Sequence, residues 1–515
     1  MSMRSIPSNG IEFPEPSDYP YRINKIMSEQ SEQLRQGLAR PTCRKSLIPT
    51  KEDGLVSRAV QLKPALVYLL VGLVGIISMV VLTPPFQVPD EPGHFYRAYQ
   101  LSELQLRGSV RNGKAGGMLP SSLSELFKNF LSGDITWYTW QPVVARPLRQ
   151  TMLSLNRPLE PNTREFIDFT NVAFYSPMAY LPQAIAIAGG RWMGAGPLAL
   201  LYLARLANAL VAVALLTWAV RLMPIGREAV MLAALLPMVV FECASVSPDA
   251  GVIGTAFLFT AVALRAQLRD GWTSGEVVVA AISGLVFCSE KPVYAPLLVL
   301  GFPAVLTGVR IKQKLIVQLV ILVVALGATV FWIFFSLSKT VTLLSGMNPT
   351  NQLVYIYKHP FVYCKIFVYS LIHYSVFYYK SLVGILGWMR VPLPKFAYIL
   401  PLGALLLGFL AQHRDGARLP AYAVAWNALL LTGSIFLIMT SQYLIFTHVG
   451  SQAILGAQGR YFIPLLPLFI ATACSVARLR LSPKASSLAF LGMTAIVGVE
   501  ILIADIAIVR AYQVF

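Results

Sequence analysis

Charged residues are scarce in this chain of 515 residues, and that scarcity limits what the protein can be. Only 13% of the residues are charged, whereas a soluble domain has about 25%. Hydrophobic residues make up 56% of the chain, and the mean hydropathy is +0.62. This composition excludes a soluble globular enzyme, a disordered chain and an ordinary nucleic-acid-binding protein. It predicts an all-α polytopic membrane protein.

Acidic residues and cysteines are also few. There are 24 Asp and Glu against 42 Lys and Arg, which gives a net charge of +18. In a membrane protein, such an excess is explained first by cationic cytoplasmic loops. The five cysteines cannot all pair, and their spacing matches neither a disulfide framework nor a metal site. We interpret them as small apolar residues.

Motifs of nucleotide and hydrolytic enzymes are missing as well. The sequence has no P-loop, no glycine-rich dinucleotide turn, no H-E-x-x-H and no G-x-S-x-G. No predicted cytoplasmic segment is large enough to hold a nucleotide. We also find no internal repeat, and no matched pair of interrupted helices that would indicate an inverted-repeat transporter.

Long apolar runs are present instead, and each predicts a membrane span of about 20 residues. The first run, 64–83, follows a polar tail, residues 1–63, that we expect to be cytoplasmic and loosely ordered. Further runs lie at 198–220, 229–246, 249–266, 277–290, 292–309, 315–337, 396–412, 421–445, 461–477 and 486–508. We predict about eleven spans, within a range of about 11–13, with the N-terminus inside and the C-terminus outside.

Basic loops between these runs set the direction of the spans. Their cations are Arg221, Arg227, Arg265, Arg269, Arg310, Lys312, Lys314, Arg414, Arg418, Arg478, Arg480 and Lys484. Two stretches agree with this topology only if they do not cross the membrane. We place 176–193 as a short helix in the outer leaflet, and the aromatic, cationic stretch 361–388 at the interface. If either stretch crosses, the topology changes.

The predicted topology leaves two large segments outside, 84–175 and 338–395. Residues 64–337 then form one module that contains the first outer segment, and residues 396–515 are C-terminal spans. The second outer segment carries Lys and Arg but no Asp or Glu, and it is dense in Tyr and Phe. Its cations include Lys358, Lys365 and Lys380. They suit an anionic lipid headgroup, such as a polyprenyl phosphate or pyrophosphate, although simple anchoring to phospholipid would use the same residues.

The strongest chemical signal follows the first span, where residues 84–103 read PPFQVPDEPGHFYRAYQLSE. Asp90 and Glu91 lie between two prolines, which hold the backbone in an extended or a turn conformation. Two carboxylates at the membrane face could supply a general base. A solvated acidic turn that caps the next helix is the alternative.

Three more ionisable residues lie at the predicted outer ends of spans: Asp249, Lys291 and Arg460. Such residues close to hydrocarbon are functional candidates, although each alone could be a capping or snorkelling residue. Together with Asp90 they form a predicted cluster of acids and cations. Such a cluster suits a reaction that has an anionic leaving group.

Several blocks of the sequence carry a family resemblance. They are PDEPGHFYRAYQLSE (89–103), YSPMAYLPQ (175–183), ARLANAL (204–210), LLPMVVFECASVSPDA (235–250), EKPVYAPLL (290–298), VGILGW (383–388) and QGRYFIPLLPL (458–468). In this order they resemble one bacterial membrane-protein family, the domain of unknown function 2142. That family is similar to the GT-C glycosyltransferases. The resemblance implies a GT-C-like fold with short helices along the outer face, in which residues 64–337 are the catalytic module.

The resemblance implies roles for individual residues. Asp90 would be the base toward the acceptor, with Glu91 as its neighbour or the alternative base, and Asp249 a second acid. Lys291 and Arg460 would bind the lipid phosphate. His94, Arg97 and Tyr461 lie in the same blocks and join the candidate substrate-binding residues. Many GT-C relatives have a soluble C-terminal domain, whereas this chain ends just after a span, so we expect acceptor recognition by the membrane domain or a partner protein.

The sequence therefore favours an inverting glycosyltransferase of the bacterial cytoplasmic membrane with an extracytoplasmic active site. Its donor would be a polyprenyl-phosphate sugar, and its acceptor a surface glycan or lipid. A flippase for a lipid-linked saccharide and a polymerase or ligase with a lipid-pyrophosphate donor are the alternatives. We predict no cofactor and no nucleic-acid partner. A divalent cation stays open, because Asp90 with Glu91 is too small a ligand set to predict one.

Overall fold

The computed structural model describes residues 53–130, 154–269, 271–306, 310–336, 347–410, 417–477 and 482–512. The chain divides into residues 1–60 and a compact unit from Gln61 to Phe515, and the features below belong to the second unit. Three predictions fall partly outside the described residues: the polar tail as far as residue 52, part of each outer segment, and the basic loops at Arg414, Arg478 and Arg480.

Most of the described residues form α-helices. They are α1 Asp53–Leu82, α2 Glu91–Ser102, α3 Ser121–Phe130, α4 Leu181–Trp192, α5 Pro197–Leu222, α6 Arg227–Ala234, α7 Pro237–Cys243, α8 Asp249–Arg269, α9 Ser274–Glu290, α10 Ile311–Ser336, α11 Pro349–Lys358, α12 Pro360–His373, α13 Ser375–Val383, α14 Leu400–Leu410, α15 Ala421–Ile445, α16 Leu466–Val476 and α17 Pro483–Tyr512. Short 3₁₀ helices are Ser154–Asn156, Met178–Tyr180, Pro292–Val299, Phe302–Ala304, Lys395–Tyr398 and Gly459–Leu465.

Two small antiparallel sheets complete the fold. The first has the order β1-β2-β3, with strands Ser109–Arg111, Lys114–Pro120 and Arg164–Asp168. It packs with α2 and α3 around a separate apolar core that includes Phe86, Phe95 and Tyr99. The second is a hairpin of β4 Ile385–Leu386 and β5 Val391–Pro392.

Seven helices of the described residues are long and apolar enough to cross a membrane, or eight if one bent helix pair is a single span. The seven are Pro64–Leu82, Pro197–Leu222, Asp249–Arg269, Ile311–Ser336, Ala421–Ile445, Gly459–Val476 and Ala485–Tyr512. Each coincides with a predicted span. The prediction of an all-α polytopic membrane protein is confirmed.

The other four predicted spans form shorter elements, and prolines explain the breaks in two of them. Run 229–246 is split into α6 and α7, with Pro237 at the first turn of α7. Run 292–309 forms 3₁₀ turns that contain Pro292, Pro296 and Pro303. Proline lacks an N–H and disrupts an α-helix interior, so these apolar stretches cannot continue as regular helices.

The stretches 176–193 and 361–388 also form short helices. In the first, α4 has 12 residues, or about 18 Å, which is too short to cross the hydrocarbon core. In the second, α12 and α13 meet at an angle of 56°. The side chains of this pair contact the C-terminal half of α15 and residues beyond it, for example Tyr363 with Thr440 and Ser370 with Ile454.

The outer faces of the long helices are strongly apolar. Val74 of α1, Phe334 of α10 and Leu488 of α17 are 70%, 75% and 71% exposed. Contiguous apolar faces of this kind are unfavourable in water, whereas lipid chains cover them without cost. The exposure pattern therefore agrees with helices that lie in a bilayer.

The helix bundle has two chemically different ends. At one end, Arg265 and Arg269 of α8 both bind Glu276 of α9, and Gly226 lies against Cys474. We call the end formed by residues 222–227, 265–276 and 474–477 the basic end. Helix α8 has 21 residues and is therefore about 31 Å long, so its first residue, Asp249, lies far from this end.

Candidate functional site

Two ion pairs lie side by side at the end of the bundle opposite the basic end. Lys291 Nζ binds Asp249 Oδ1, and Arg460 Nη1 donates to Glu242 Oε1 over 2.7 Å. Both pairs line one small pocket. The four residues come from three regions of the chain, 242–249, 291 and 460, and we call them the charge cluster.

Helix ends place these charges. Asp249 begins α8, and its backbone N–H donates to Ser247 Oγ over 3.0 Å. Lys291 directly follows the last residue of α9. Arg460 lies in the 3₁₀ helix Gly459–Leu465, which leads into α16. Three chain segments begin or end at this end of the bundle, so their polar side chains meet there. No charge has to lie in the middle of a long span for this contact to form.

Two tyrosines complete the pocket. The centroid of the Tyr461 ring lies 5.5 Å from Lys291 Nζ and 5.6 Å from Arg460 Cζ, so the ring packs against both cations. The Tyr294 hydroxyl donates to the Tyr461 carbonyl over 2.8 Å, which fixes the turn. The prediction that Tyr461 belongs with Lys291 and Arg460 agrees with this geometry.

Asp90 lies at the start of α2 in a left-handed conformation, with φ of 62°. Its side chain makes no capping hydrogen bond, and its Oδ1 accepts from Asn171 Nδ2 over 3.1 Å. Left-handed aspartate is uncommon, and such strain is found mostly at functional sites. The geometry thus differs from an ordinary acidic cap.

His94 connects Asp90 with the charge cluster. Its Nδ1 lies 2.7 Å from the hydroxyl of Tyr180. Burial lowers the pKa of His94 to about 4. The carboxylates of Asp90 and Asp249 oppose this shift, and the cations of Lys291 and Arg460 reinforce it. All four charges therefore act on one imidazole. His94 is neutral at pH 7, so it can contact a phosphate only through a neutral hydrogen bond.

The neutral His94 makes the protein less stable in acid. An unfolded histidine binds a proton near pH 6.5, whereas the folded one resists protonation until about pH 4. The stabilisation is present above pH 6.5 and is lost as the pH falls toward 4, by up to about 3 kcal/mol. We expect the thermal unfolding midpoint of His94→Gln to change less between pH 7 and pH 4.5 than the midpoint of wild type. Parallel pH curves for the two proteins would contradict this assignment.

Glu91 lies in a different environment from its neighbour. It forms a fully buried ion pair with Arg205, whose Nε and Nη2 donate to Oε1 and Oε2 over 2.8 and 2.6 Å. The backbone N–H groups of Phe86 and Val246 donate to the same carboxylate, each over 3.0 Å. Protein donors therefore occupy both oxygens of this carboxylate. The geometry does not favour Glu91 as the alternative base, because the residue holds the loop that carries Asp90.

Arg97 is also structural in this arrangement. It is fully buried and donates to Gln100 Oε1 and to the carbonyls of Leu106 and Tyr175, over 2.6, 2.7 and 2.9 Å. Burial lowers the pKa of Arg97 to about 10. Its prediction as a substrate-binding residue is not favoured, because Nη1 and Nη2 donate to backbone and amide oxygens, while Nε is buried without a partner among the described residues.

The three predicted lipid-binding lysines lie on the surface of the helices α11 to α13. Lys358, Lys365 and Lys380 are all exposed, and Lys380 Nζ lies 5.8 Å from the ring of Tyr398. None of them lines the pocket of the charge cluster. A role of these three lysines in donor binding would therefore lie at the lipid part of the donor, away from the atoms that react.

Sequence reasoning missed two residues of this site. Glu242 lies in the apolar run 229–246 and was given no role, yet it is the partner of Arg460. Arg205 lies in the block ARLANAL and was given no role. An ionisable residue within an apolar run was the available signal in both cases. Among the described residues, no group of three or more His, Cys, Asp or Glu could hold a metal ion.

Comparisons with known proteins agree with the membrane architecture. Neither the curated proteins nor the solved structures gave a match. A family model described as "Predicted membrane protein (DUF2142)" matches residues 73–469, which include both ion pairs and the Asp90 turn. Because this match covers well over half of the chain, the protein belongs to the DUF2142 family of membrane proteins.

Proposed function

We propose that the protein is a glycosyltransferase that moves a sugar from a polyprenyl-phosphate donor to a glycan or lipid acceptor. The observation that carries this proposal is the charge cluster beside Asp90. Lys291 and Arg460 supply two cations for a phosphate, and Asp90 is a carboxylate bound only by the neutral amide of Asn171 among the described residues.

The proposed reaction is a single displacement. The acceptor hydroxyl oxygen attacks the anomeric carbon, the bond from that carbon to the phosphate oxygen breaks, and the hydroxyl proton passes to Asp90. The lipid phosphate leaves with the bonding electrons, and Lys291 and Arg460 stabilise its charge. Attack from the face opposite the leaving group inverts the anomeric configuration. Asp249 is a weaker candidate for the base, because Lys291 binds it.

We also propose that eleven segments cross the membrane, as in a GT-C-like arrangement. The seven long helices are joined by four shorter elements whose two ends contact opposite ends of the bundle. Residues 227–243 run from the Cys474 contact to Glu242, and 274–290 run from Glu276 to the residue before Lys291. Residues 292–304 return to the basic end, where Gln267 donates to the Leu300 carbonyl over 2.5 Å. Residues 395–410 return there too, because Gly408 lies against Ala229.

The basic end supports an orientation for this arrangement. Lys and Arg are enriched in cytoplasmic loops, which would place residues 265–276 in the cytoplasm. The charge cluster and the region of 84–130 would then face the extracytoplasmic side of a bacterial cytoplasmic membrane. Nucleotide sugars are not available there, so a lipid-linked donor suits a site on that face.

Transport of a lipid-linked saccharide is the second candidate, and one observation favours it. Glu500 of α17 is 1% exposed, and neither of its carboxylate oxygens has a hydrogen-bond partner among the described residues. The other polar residues within spans are less suggestive of a pathway. Glu242 belongs to the charge cluster, Asp505 accepts from Ser78, and Asn208 binds Gln183 and the Ser245 carbonyl.

Reconstituted protein with labelled polyprenyl-phosphate sugars tests the proposal. We expect sugar transfer by wild type, and we expect Lys291→Met to raise the KM for the donor by about 10-fold to 100-fold, the loss of a charge-assisted hydrogen bond. Lys114→Met is a matched control, because Lys114 is exposed and pairs with Asp168 away from the cluster.

The same assay separates the alternatives. Transfer only from pyrophosphate-linked donors would identify a polymerase or ligase. Movement of a lipid-linked saccharide between leaflets, without transfer to any acceptor, would replace the glycosyltransferase with a transporter. In that case Glu500→Gln should slow the movement.

A further inference from the structure

One segment of the chain contacts both the cation side and the base side of the candidate site. It comprises α13 and the β4–β5 hairpin, residues 375–392, and we call it the brace. The brace lies outside the charge cluster itself. It contains VGILGW, a block of the sequence to which the proposed reaction gives no role.

The first contact of the brace holds the turn that carries Arg460. Gly459 N–H donates to Ser381 Oγ over 2.7 Å. A Cβ atom at Gly459 would lie 1.8 Å from the Tyr378 carbonyl oxygen, so the two backbones touch directly. Only glycine permits this approach. The position of Arg460 is therefore set by α13 through the residue that precedes it.

The second contact holds the turn that carries Asp90. The indole Nε1 of Trp388 donates to the Phe86 carbonyl over 2.9 Å. The N–H of Phe86 donates to Glu91 Oε2 over 3.0 Å, so both polar groups of this residue are bound. Phe86 is left-handed, with φ of 65°, as is Asp90 four residues later. The Trp388 bond adds a contact from the brace to a turn that Glu91 and Arg205 also hold.

Strain on the brace side supports a positioning role. Trp388 and Met389 have φ of 50° and 63°, in the left-handed region that non-glycine residues avoid. Each such residue costs about 1–3 kcal/mol and persists only where its surroundings over-determine it. The C-terminal helix contributes here, because the Tyr512 hydroxyl packs against Gly387.

We propose that the brace sets the separation between Arg460 and Asp90, with Ser381 and Trp388 as positioning residues. The catalytic consequence rests on the proposed function. Ser381 acts on the cation that holds the leaving group, and Trp388 acts on the turn that presents the base. The two residues therefore affect different kinetic constants.

Kinetics of two conservative variants test this division. Trp388→Phe keeps an aromatic ring but removes the donor, and we expect kcat to fall about tenfold with an unchanged donor KM. We expect Ser381→Ala to raise the donor KM several-fold with a smaller change in kcat. Ser381→Thr keeps a hydroxyl, and its donor KM should be close to that of wild type. Equal effects of both variants on kcat and KM would overturn the division of roles.

Hydrogen–deuterium exchange tests the brace without any assay of activity. We expect amides 86–95 to exchange at least tenfold faster in Trp388→Phe than in wild type. Trp426→Phe is the control, because its indole also donates to a carbonyl, that of Val299, far from the charge cluster. Unchanged exchange in Trp388→Phe would refute the proposed role of the brace. Faster exchange in a protein whose wild type transfers no sugar would support the brace and refute the proposed function.

Discussion

Asp90→Asn is expected to reduce sugar transfer by about 10²-fold to 10⁴-fold, the usual contribution of a general base. Asparagine has nearly the same shape and can still accept from Asn171 Nδ2, so the turn should persist. The donor should bind as before, because Lys291 and Arg460 are unchanged. The loss should therefore appear in kcat and not in the donor KM.

A matched control for this variant lies in the same region of the chain. Asp168 of β3 accepts from the Thr170 N–H and hydroxyl and pairs with the exposed Lys114. Asp168→Asn should keep nearly full activity. If Asp90→Asn also keeps full activity, Asp90 is not the base, and Asp249 becomes the candidate to replace next.

The second large effect is expected on stability, from Glu91→Gln. Arg205 makes five hydrogen bonds, which match the five donors of a guanidinium, and two of them end on Glu91. Both side chains are 0% exposed. Removal of the negative charge leaves a buried cation without compensation, at a cost of about 3–5 kcal/mol. We expect a large fall in the thermal unfolding midpoint in detergent and loss of any activity.

Glu103→Gln provides the comparison, because Glu103 pairs with two partly exposed arginines, Arg164 and Arg191. Partly exposed pairs contribute about 0–1 kcal/mol, so this variant should unfold close to wild type. The double variant Glu91→Leu with Arg205→Met should recover much of the lost stability, since no buried charge remains. An unfolding midpoint of Glu91→Gln equal to wild type would show that the pair does not stabilise the fold.

Much of the architecture could be predicted from composition and hydropathy. Seven predicted spans coincide with long helices, because about 20 apolar residues in a row leave the backbone few alternatives. The four shorter segments show the limit of this reasoning. A hydropathy average does not register Pro237 or Pro296, although each changes the local hydrogen-bonding pattern.

The candidate site was predictable only in part, for a related reason. Asp249, Lys291 and Arg460 could be grouped because each lies where an apolar run begins or ends. Their pairing could not be predicted, because an ion pair depends on which helices are neighbours. The separate roles of Asp90 and Glu91 were equally hidden. Two adjacent carboxylates look alike in a sequence, and only the position of Arg205 distinguishes them.

The charge cluster also has a consequence for biogenesis. Glu242 and Arg460 are 218 residues apart, so the ribosome delivers the acid to the membrane long before its partner. Asp249 and Lys291, at 42 residues apart, can meet much earlier. An unpaired carboxylate at membrane depth is costly, and the nascent chain must tolerate Glu242 in that state until Arg460 emerges. Insertion of the last helices therefore does more than lengthen the bundle, because it supplies the cation that pairs with Glu242.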